Sequence, residues 1–368
     1  MFTRIAGSAL AVFASALLMS TANAAVKTVR HGDVVCTPTG YIKDGIDLTA
    51  AYMGGTHSGE TLDGTGCNVV VYYGPGTSGS VDSNTEVHGA NYFGVLINGG
   101  QNVTVQGSRI HDIGEVPFNG AQHGVGIYSA VSELATHLVI KANRIWNYQK
   151  GGIVVLGANN TGAAITNNDV EGFGPIDFIA QNGIEYGLGA NNLVVKLNTV
   201  NGHSYTGAGG ASSGGILGLG GACFGGLPQH NNDVENNIGV GNDVGDYDLN
   251  LDDTCGTAEP GASQNVISSN HLRNDYITNT SGNGSGPYQA GISIADSKAK
   301  LAKNDICGDG YTSAPPPGGF IAQIDSTGSV NLREKGNSCK NPAMPAGPGT
   351  SSSRENNRKI AKTVRPYF

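Results

Sequence analysis

The sequence predicts an all-β protein, a single-domain right-handed parallel β-helix solenoid of about 8–10 rungs. Three observations carry this. A glycine followed by an aliphatic residue returns at intervals of about thirty residues, a period that marks solenoids and arrays. A second phrase, asparagine–any residue–aliphatic, runs in step with it. The composition, with 58 glycines and only 14% charged residues, favours short strands joined by tight turns over long helices.

The glycine phrase reads Gly94-Val95, Gly124-Val125, Gly152-Ile153, Gly183-Ile184 and Gly215-Ile216. It continues as Asp248-Leu249, Gly291-Ile292 and Gly319-Phe320. Residues around it alternate, as in Ile292-Ser293-Ile294, so each marks a short strand with one residue inside and the next outside. The second phrase starts at Ser108 and then at Asn143, Asn168, Asn198, Asn236, Asn270 and Asn304. It follows another strand, such as Val103-Thr104-Val105. Residues of equal phase should stack, so one chain yields columns of neighbours. The hexapeptide rhythm of a left-handed helix and the leucine pattern of a horseshoe are both absent. Longer rungs of uneven length favour the right-handed coil.

Along the chain, residues 1–24 read as a signal peptide. Arg4 precedes an apolar stretch, and Ala22-Asn23-Ala24 has the small-x-small cleavage pattern. No later stretch reaches about 18 apolar residues, so no membrane span is expected, and the mature chain should be secreted or periplasmic. Residues 25–341 are assigned to the solenoid. Val26 to Tyr73 should cap its first rung, because an open rung exposes strand edges. Residues 342–368 read as a flexible basic tail around Arg354, Arg358, Lys359, Lys362 and Arg365. The formal net charge of −8, with no basic patch in the repeat, argues against a nucleic-acid partner.

From about Gly94 to Cys339, the repeat, the uneven rungs and the asparagine phrase resemble the right-handed parallel β-helix superfamily that includes pectate lyases. The resemblance implies an internal ladder that satisfies backbone groups at a turn. Its rungs here would be Asn143, Asn168, Asn198, Asn236, Asn270 and Asn304, with Ser108 at its start. The resemblance also implies a cleft between the first sheet and the long loops. No Asn-Thr-Asp, no Arg-Ile-Lys and no pectate-lyase arginine signature occurs, so no catalytic residue carries over.

Six cysteines allow 15 pairings. Cys36 and Cys67, Cys223 and Cys255, and Cys307 and Cys339 are each about one rung apart. Matching positions on adjacent rungs lie about 4.8 Å apart, within disulfide range. Those three bonds are therefore expected in an exported protein.

Polar residues gather beside the glycine phrase: Gln122, Lys150, Gln181, Ser213, Asp246 and Gln289. Lys150 and Glu185 fall on neighbouring rungs and one face. The long segments add His111, His123, Trp146, Tyr148, Asp177, His203 and Tyr205. The functional reading is a polysaccharide lyase, or an epimerase or hydrolase, acting on an acidic polysaccharide. Lys150 would be base or charge neutraliser, and His203 with Tyr205 base and acid. Asp177 with Glu185 would be the carboxylate pair of a hydrolase. His111, His123, Trp146 and Tyr148 would hold sugar. Each of these also has a bland reading, such as an aromatic stack or a packed glycine-rich loop. Asp246, Asp248 and Asp252 crowd one rung and suit calcium, which takes oxygen ligands. The same segment also reads as a strand with a polar outer face. Leu96, Val154, Leu156, Leu217 and Leu219 fall on outward phases, an apolar strip suited to a homo-oligomer. That strip motivates the alternative: a non-catalytic glycan-binding, adhesin-like or envelope structural protein.

Overall fold

The computed structural model describes residues 30–31, 34–130, 137–260 and 263–340. The signal peptide and the basic tail expected from the sequence lie outside these residues. Three sheets of 11, 10 and 9 strands coil around a common interior. One rung contributes Phe93–Ile97 to sheet 1, Val103–Gln106 to sheet 2 and Arg109–His111 to sheet 3. Each strand pairs in parallel with its counterpart one rung on, as Val95 with Ile127 and Ile127 with Ile153. Helix is confined to Asp309–Thr312 and the 3-10 turn Ala222–Phe224 among the described residues.

The inward aliphatics form one continuous core, from Leu62 through Ile110, Ile145, Ile184 and Ile292 to Tyr311. The glycine phrase marks a tight inner corner of that core. Phe93 packs on the outside of sheet 1 and Val95 on the inside. A Cβ on Gly94, between them, would lie 2.5 Å from the Gly126 carbonyl oxygen and 2.9 Å from Ile110 Cγ2. The same collision recurs at Gly126, Gly152, Gly183, Gly215 and Gly245, each against the carbonyl of the next rung's corner residue. The true phrases are therefore Gly126-Ile127 and Gly245-Asp246, not Gly124-Val125 and Asp248-Leu249. Val125 pairs with Phe93 on the outer side. Gly319 falls outside the corner column, because Phe320 pairs with Tyr288.

One strand carries its acids on the inner face. In Val244–Asn250, Asp246 and Asp248 take the inward positions, in register with Ile216 and Gly218 on one side and Ile292 and Ile294 on the other. Tyr247 and Leu249 face outward. The expected polar outer face is the inner one.

The ladder stands between sheets 2 and 3. Each amide accepts from the previous rung's ladder residue: Ser108 N to Asn143 Oδ1 at 3.0 Å, Asn143 N to Asn168 at 3.1 Å, and Asn168 N to Asn198 at 3.0 Å. The next member is Asn237, not Asn236: Asn198 N donates to Asn237 Oδ1 at 2.9 Å, and Asn237 Nδ2 donates onward to Asn270. Asn236 has φ 56° and occupies the left-handed turn position before the ladder, matching Ala142, Asn167 and Leu197. The sequence phrase is displaced because Gly239, not an aliphatic, fills the inward position of this rung, while Ile238 points out. Asn337 extends the ladder beyond Asn304.

All three expected disulfides are present, Cys36–Cys67, Cys223–Cys255 and Cys307–Cys339. They point to an oxidising, extracytoplasmic setting. The N-terminal cap is narrower than expected. Thr37–Lys43 pairs antiparallel with Ile46–Met53, which already joins the parallel stack through Val69–Tyr73. Tyr41, Leu48 and Tyr92 pack over Leu96 and Val154, both buried. The upper part of the expected apolar strip is thus covered by the chain itself. No helix among the described residues is long and apolar enough to cross a membrane.

Candidate functional site

Below the covered region, the outer face of sheet 1 opens into a groove of about 590 Å³. It runs from Lys150 and Asn182 at one end to Tyr288, Phe320 and Asp325 at the other, over a floor of Leu217, Leu219, Tyr247, Leu249 and Leu251. Tyr247 and Leu249 join that floor because they take the outward positions of Val244–Asn250. Cys223, Phe224 and Cys255 line one wall, where the disulfide ties two turns together.

The opposite wall comes from two glycine-rich loops, around Gly210 and Gly282, joined to each other. Asn279 Nδ2 donates to the Ala211 carbonyl at 2.9 Å, and Ser281 Oγ to the Gly207 carbonyl at 2.6 Å. Beneath them, the buried Asp243 carboxylate accepts from Tyr205 N at 2.8 Å, Ser213 N at 3.0 Å and Ser204 Oγ at 2.6 Å. Burial pushes Asp243 up to about 6, with these hydrogen bonds pulling the other way. Gln289 is a staple of the same kind. Its Oε1 accepts from Asn279 N at 2.9 Å, and its Nε2 donates to the Tyr276 carbonyl at 3.0 Å.

Of the sequence candidates, the structure brings Lys150 and Glu185 together. Gly151 pairs with Asn182 and Val154 with Glu185, so the two lie on adjacent rungs. Lys150 Nζ donates to the Ala180 carbonyl at 2.9 Å. Glu185 Oε2 accepts from Asn182 Nδ2 at 3.5 Å. Burial lowers the Lys150 pKa, with the Glu185 charge opposing; burial raises the Glu185 pKa, with the Lys150 charge opposing.

The others stand elsewhere. His203 is fully enclosed; Nε2 meets the Tyr148 hydroxyl at 2.6 Å and Nδ1 meets Asn242 Oδ1 at 2.9 Å. Burial pushes its imidazole down to about 4. Tyr148 is also fully buried, so this pair belongs to the core and meets no groove. The Tyr205 ring packs on the glycine-rich wall, where a Cβ on Gly207 would lie 2.2 Å from its hydroxyl. Asp177 is exposed on the loop after Asp169–Ile176, with its backbone carbonyl against Gly207.

His111 and Trp146 project from sheet 3. Their rings stack at 4.4 Å, with His88 at 5.6 Å beyond His111 and the Arg144 guanidinium 4.9 Å over Trp146. Burial disfavours a charged His111, but hydrogen bonds to Asp112 and Glu86 outweigh it and raise the pKa. His123 stacks on Tyr92 at 3.8 Å and pairs with Glu115 at 2.7 Å.

The calcium set separates in space. Asp252 lies on an exposed turn, accepting from Thr254 and Thr257. Asp246 and Asp248 lie inside the solenoid. One oxygen of each, and the Tyr186 hydroxyl, are buried without a hydrogen-bond partner. The other Asp246 oxygen accepts from Asn270 Nδ2 at 3.0 Å. Burial pushes Asp246 up to about 8, and burial together with the Asp296 carboxylate drives Asp248 well above the carboxylate range. Burial thus favours the protonated form of both acids, and Asp252 is not beside them. Among the described residues, the one group close enough to share a metal is Asp305, Cys307 and Cys339, and its sulfurs are held in a disulfide.

The groove residues that sequence reasoning missed are Tyr247, Tyr288, Phe320 and Asp325. Tyr247, Ser293 and Asp325 continue the outward column of Glu185 and Leu217. The column was legible once the register at Gly245 is right.

A profile described as "Right handed beta helix region" matches residues 59–224. The three stacked parallel sheets make the fold a parallel β-helix, and the stretch that the profile matches is similar to right-handed ones. No curated protein sequence matches it. Similar solved structures include the Dettilon tailspike protein, at 15% identity and a TM-score of 0.40, covering 79% of this chain and 55% of that one. A glycoside hydrolase structure is similar at 11% identity and a TM-score of 0.29, covering 76% of this chain. The chain spans 55% and 39% of the lengths of these two proteins. At these scores, neither lends it a site or an activity.

Proposed function

We propose that this is an extracytoplasmic carbohydrate-active protein that takes an acidic polysaccharide along the sheet 1 groove and cleaves it by elimination. The observation that carries the reading is the groove itself. It crosses six rungs, and five steps of about 4.8 Å make it about 24 Å long, room for several sugar rings end to end. Its floor of leucine and tyrosine suits the apolar faces of pyranose rings. The reading draws on Lys150 and Glu185, whose pKa values burial shifts down and up respectively. An amine made less basic by burial takes the proton from C5 of a uronate. The C5 electrons form the C4–C5 double bond as the C4–O bond breaks, and the Glu185 carboxyl, its pKa raised by burial, gives a proton to the leaving oxygen.

The test is a panel of uronate polysaccharides with the purified chain and its Lys150→Met and Glu185→Gln variants. The reading expects unsaturated-uronate absorbance from the parent and a loss of about 100-fold or more in each variant. Cleavage that both variants retain would sink this site. New reducing ends without unsaturation would indicate hydrolysis.

A second reading, non-catalytic glycan binding, draws on the mainly apolar floor and on the bond that ties Lys150 to Ala180. Binding without cleavage across the panel would establish it.

A further inference from the structure

Beyond Leu217 and Leu249, the groove ends in a cluster of different character from the Lys150 end. Phe320 is 36% exposed, and its ring stacks on Tyr288 at 5.4 Å with the planes 15° apart. The Tyr288 hydroxyl donates to Asp325 Oδ2 at 2.7 Å and lies 2.8 Å from Ser293 Oγ. The other Asp325 oxygen accepts from Thr327 N at 3.1 Å. No lysine, arginine or histidine forms an ion pair with Asp325 among the described residues.

We infer that this end is a second sugar subsite, which takes an uncharged pyranose ring and rejects a uronate. It rests on the reading of the groove as a polysaccharide site and adds the class of polymer. The aromatic pair offers an apolar surface for the ring. The hydroxyl–carboxylate chain is already oriented, and its remaining lone pairs accept sugar hydroxyls. A carboxylate without a cation repels a second carboxylate brought within hydrogen-bond range. Lys150 is about five rungs away at the opposite end. The groove is therefore polarised: its acid sugar lies by Lys150, its neutral sugar by Asp325. A polymer that mixes uronate with neutral residues fits both ends, and a pure polyuronate fits one.

The experiment measures calorimetric affinities, under conditions where cleavage is blocked by Glu185→Gln, for two hexasaccharide probes. One is all galacturonate; the other alternates galacturonate with rhamnose. The mixed probe should bind about tenfold tighter. Phe320→Ala should weaken the mixed probe about tenfold, the worth of one aromatic contact. Asp325→Asn should tighten the all-uronate probe several-fold and leave the mixed probe within about threefold. Equal affinities in Phe320→Ala, Asp325→Asn and their parent, with binding still lost in Lys150→Met, would overturn the second subsite and leave the groove reading standing. No binding of either probe would overturn both. Thermal melting of each variant checks that the fold is kept. Phe320 is on the last described strand of sheet 1 and partly exposed, so its truncation leaves the core intact.

Discussion

Replacing Asp246 with asparagine should stabilise the protein in mildly alkaline solution and leave it almost unchanged in acid. Asp246 is 1% exposed and in register between Ile216 and Ile292. Asn270 supplies its one hydrogen bond, and its second oxygen has none. Burial holds its pKa at about 8, whereas in the unfolded chain an aspartate titrates near 4. The folded state therefore binds the proton more tightly. The stability this provides is complete below about pH 4 and declines as pH rises through the folded value. At about 1.4 kcal/mol per pH unit, the loss approaches roughly 5 kcal/mol by pH 8. Asparagine has nearly the same shape, accepts the Asn270 bond through its carbonyl and needs no proton. Urea midpoints with disulfides intact, taken from about pH 5 to about pH 9, should diverge as pH rises, with the variant above. Asp243 and Asp248 also have raised pKa values, so the variant keeps part of the slope. Parallel curves for the two proteins would refute the claim that Asp246 is a protonated interior acid.

Two further predictions test the architecture. Gly183→Ala would place a Cβ 2.2 Å from Val200 Cγ1 and 2.5 Å from the Gly215 carbonyl oxygen; denaturation should show a loss of roughly 3 kcal/mol or failure to fold, because neither backbone can retreat. Asn237→Ala would orphan the buried Asn198 N–H and the Val195 carbonyl, which Asn237 now serves at 2.9 Å each, and should cost roughly 3–5 kcal/mol. Asn236→Gly, one residue away at φ 56°, should change stability by less than about 0.5 kcal/mol. Reversal of that order would mean the ladder runs through Asn236.

The solenoid was legible because a glycine is required wherever the Cβ would strike the next rung's carbonyl. That constraint writes a period into the sequence. At Gly245 the residue after the corner glycine is an acid, so the glycine–aliphatic phrase is broken there. The next aliphatic, Leu249, lies three residues beyond Asp246, and an odd step along a strand exchanges its two faces. Asp246 and Asp248 then looked external and able to join Asp252, and Tyr247 disappeared from the groove. At the ladder, Ile238 attracted the phrase because Gly239 is too small to signal an inward position.

The site was less legible than the fold for a different reason. Lys150 and Glu185 share a sheet, so phase alone brought them together. The groove's far wall joins loops near residues 207–213 and 278–286, whose lengths bear no relation to the rung period. His203 and Tyr148 resembled loop residues of a binding cleft because polarity was the only available signal. Once each satisfies the other at 2.6 Å, both can be buried at little cost. In a solenoid, a polar residue near the turn is thus ambiguous until its partner one or two rungs away is known. The partner, not the polarity, decides whether it faces substrate or core.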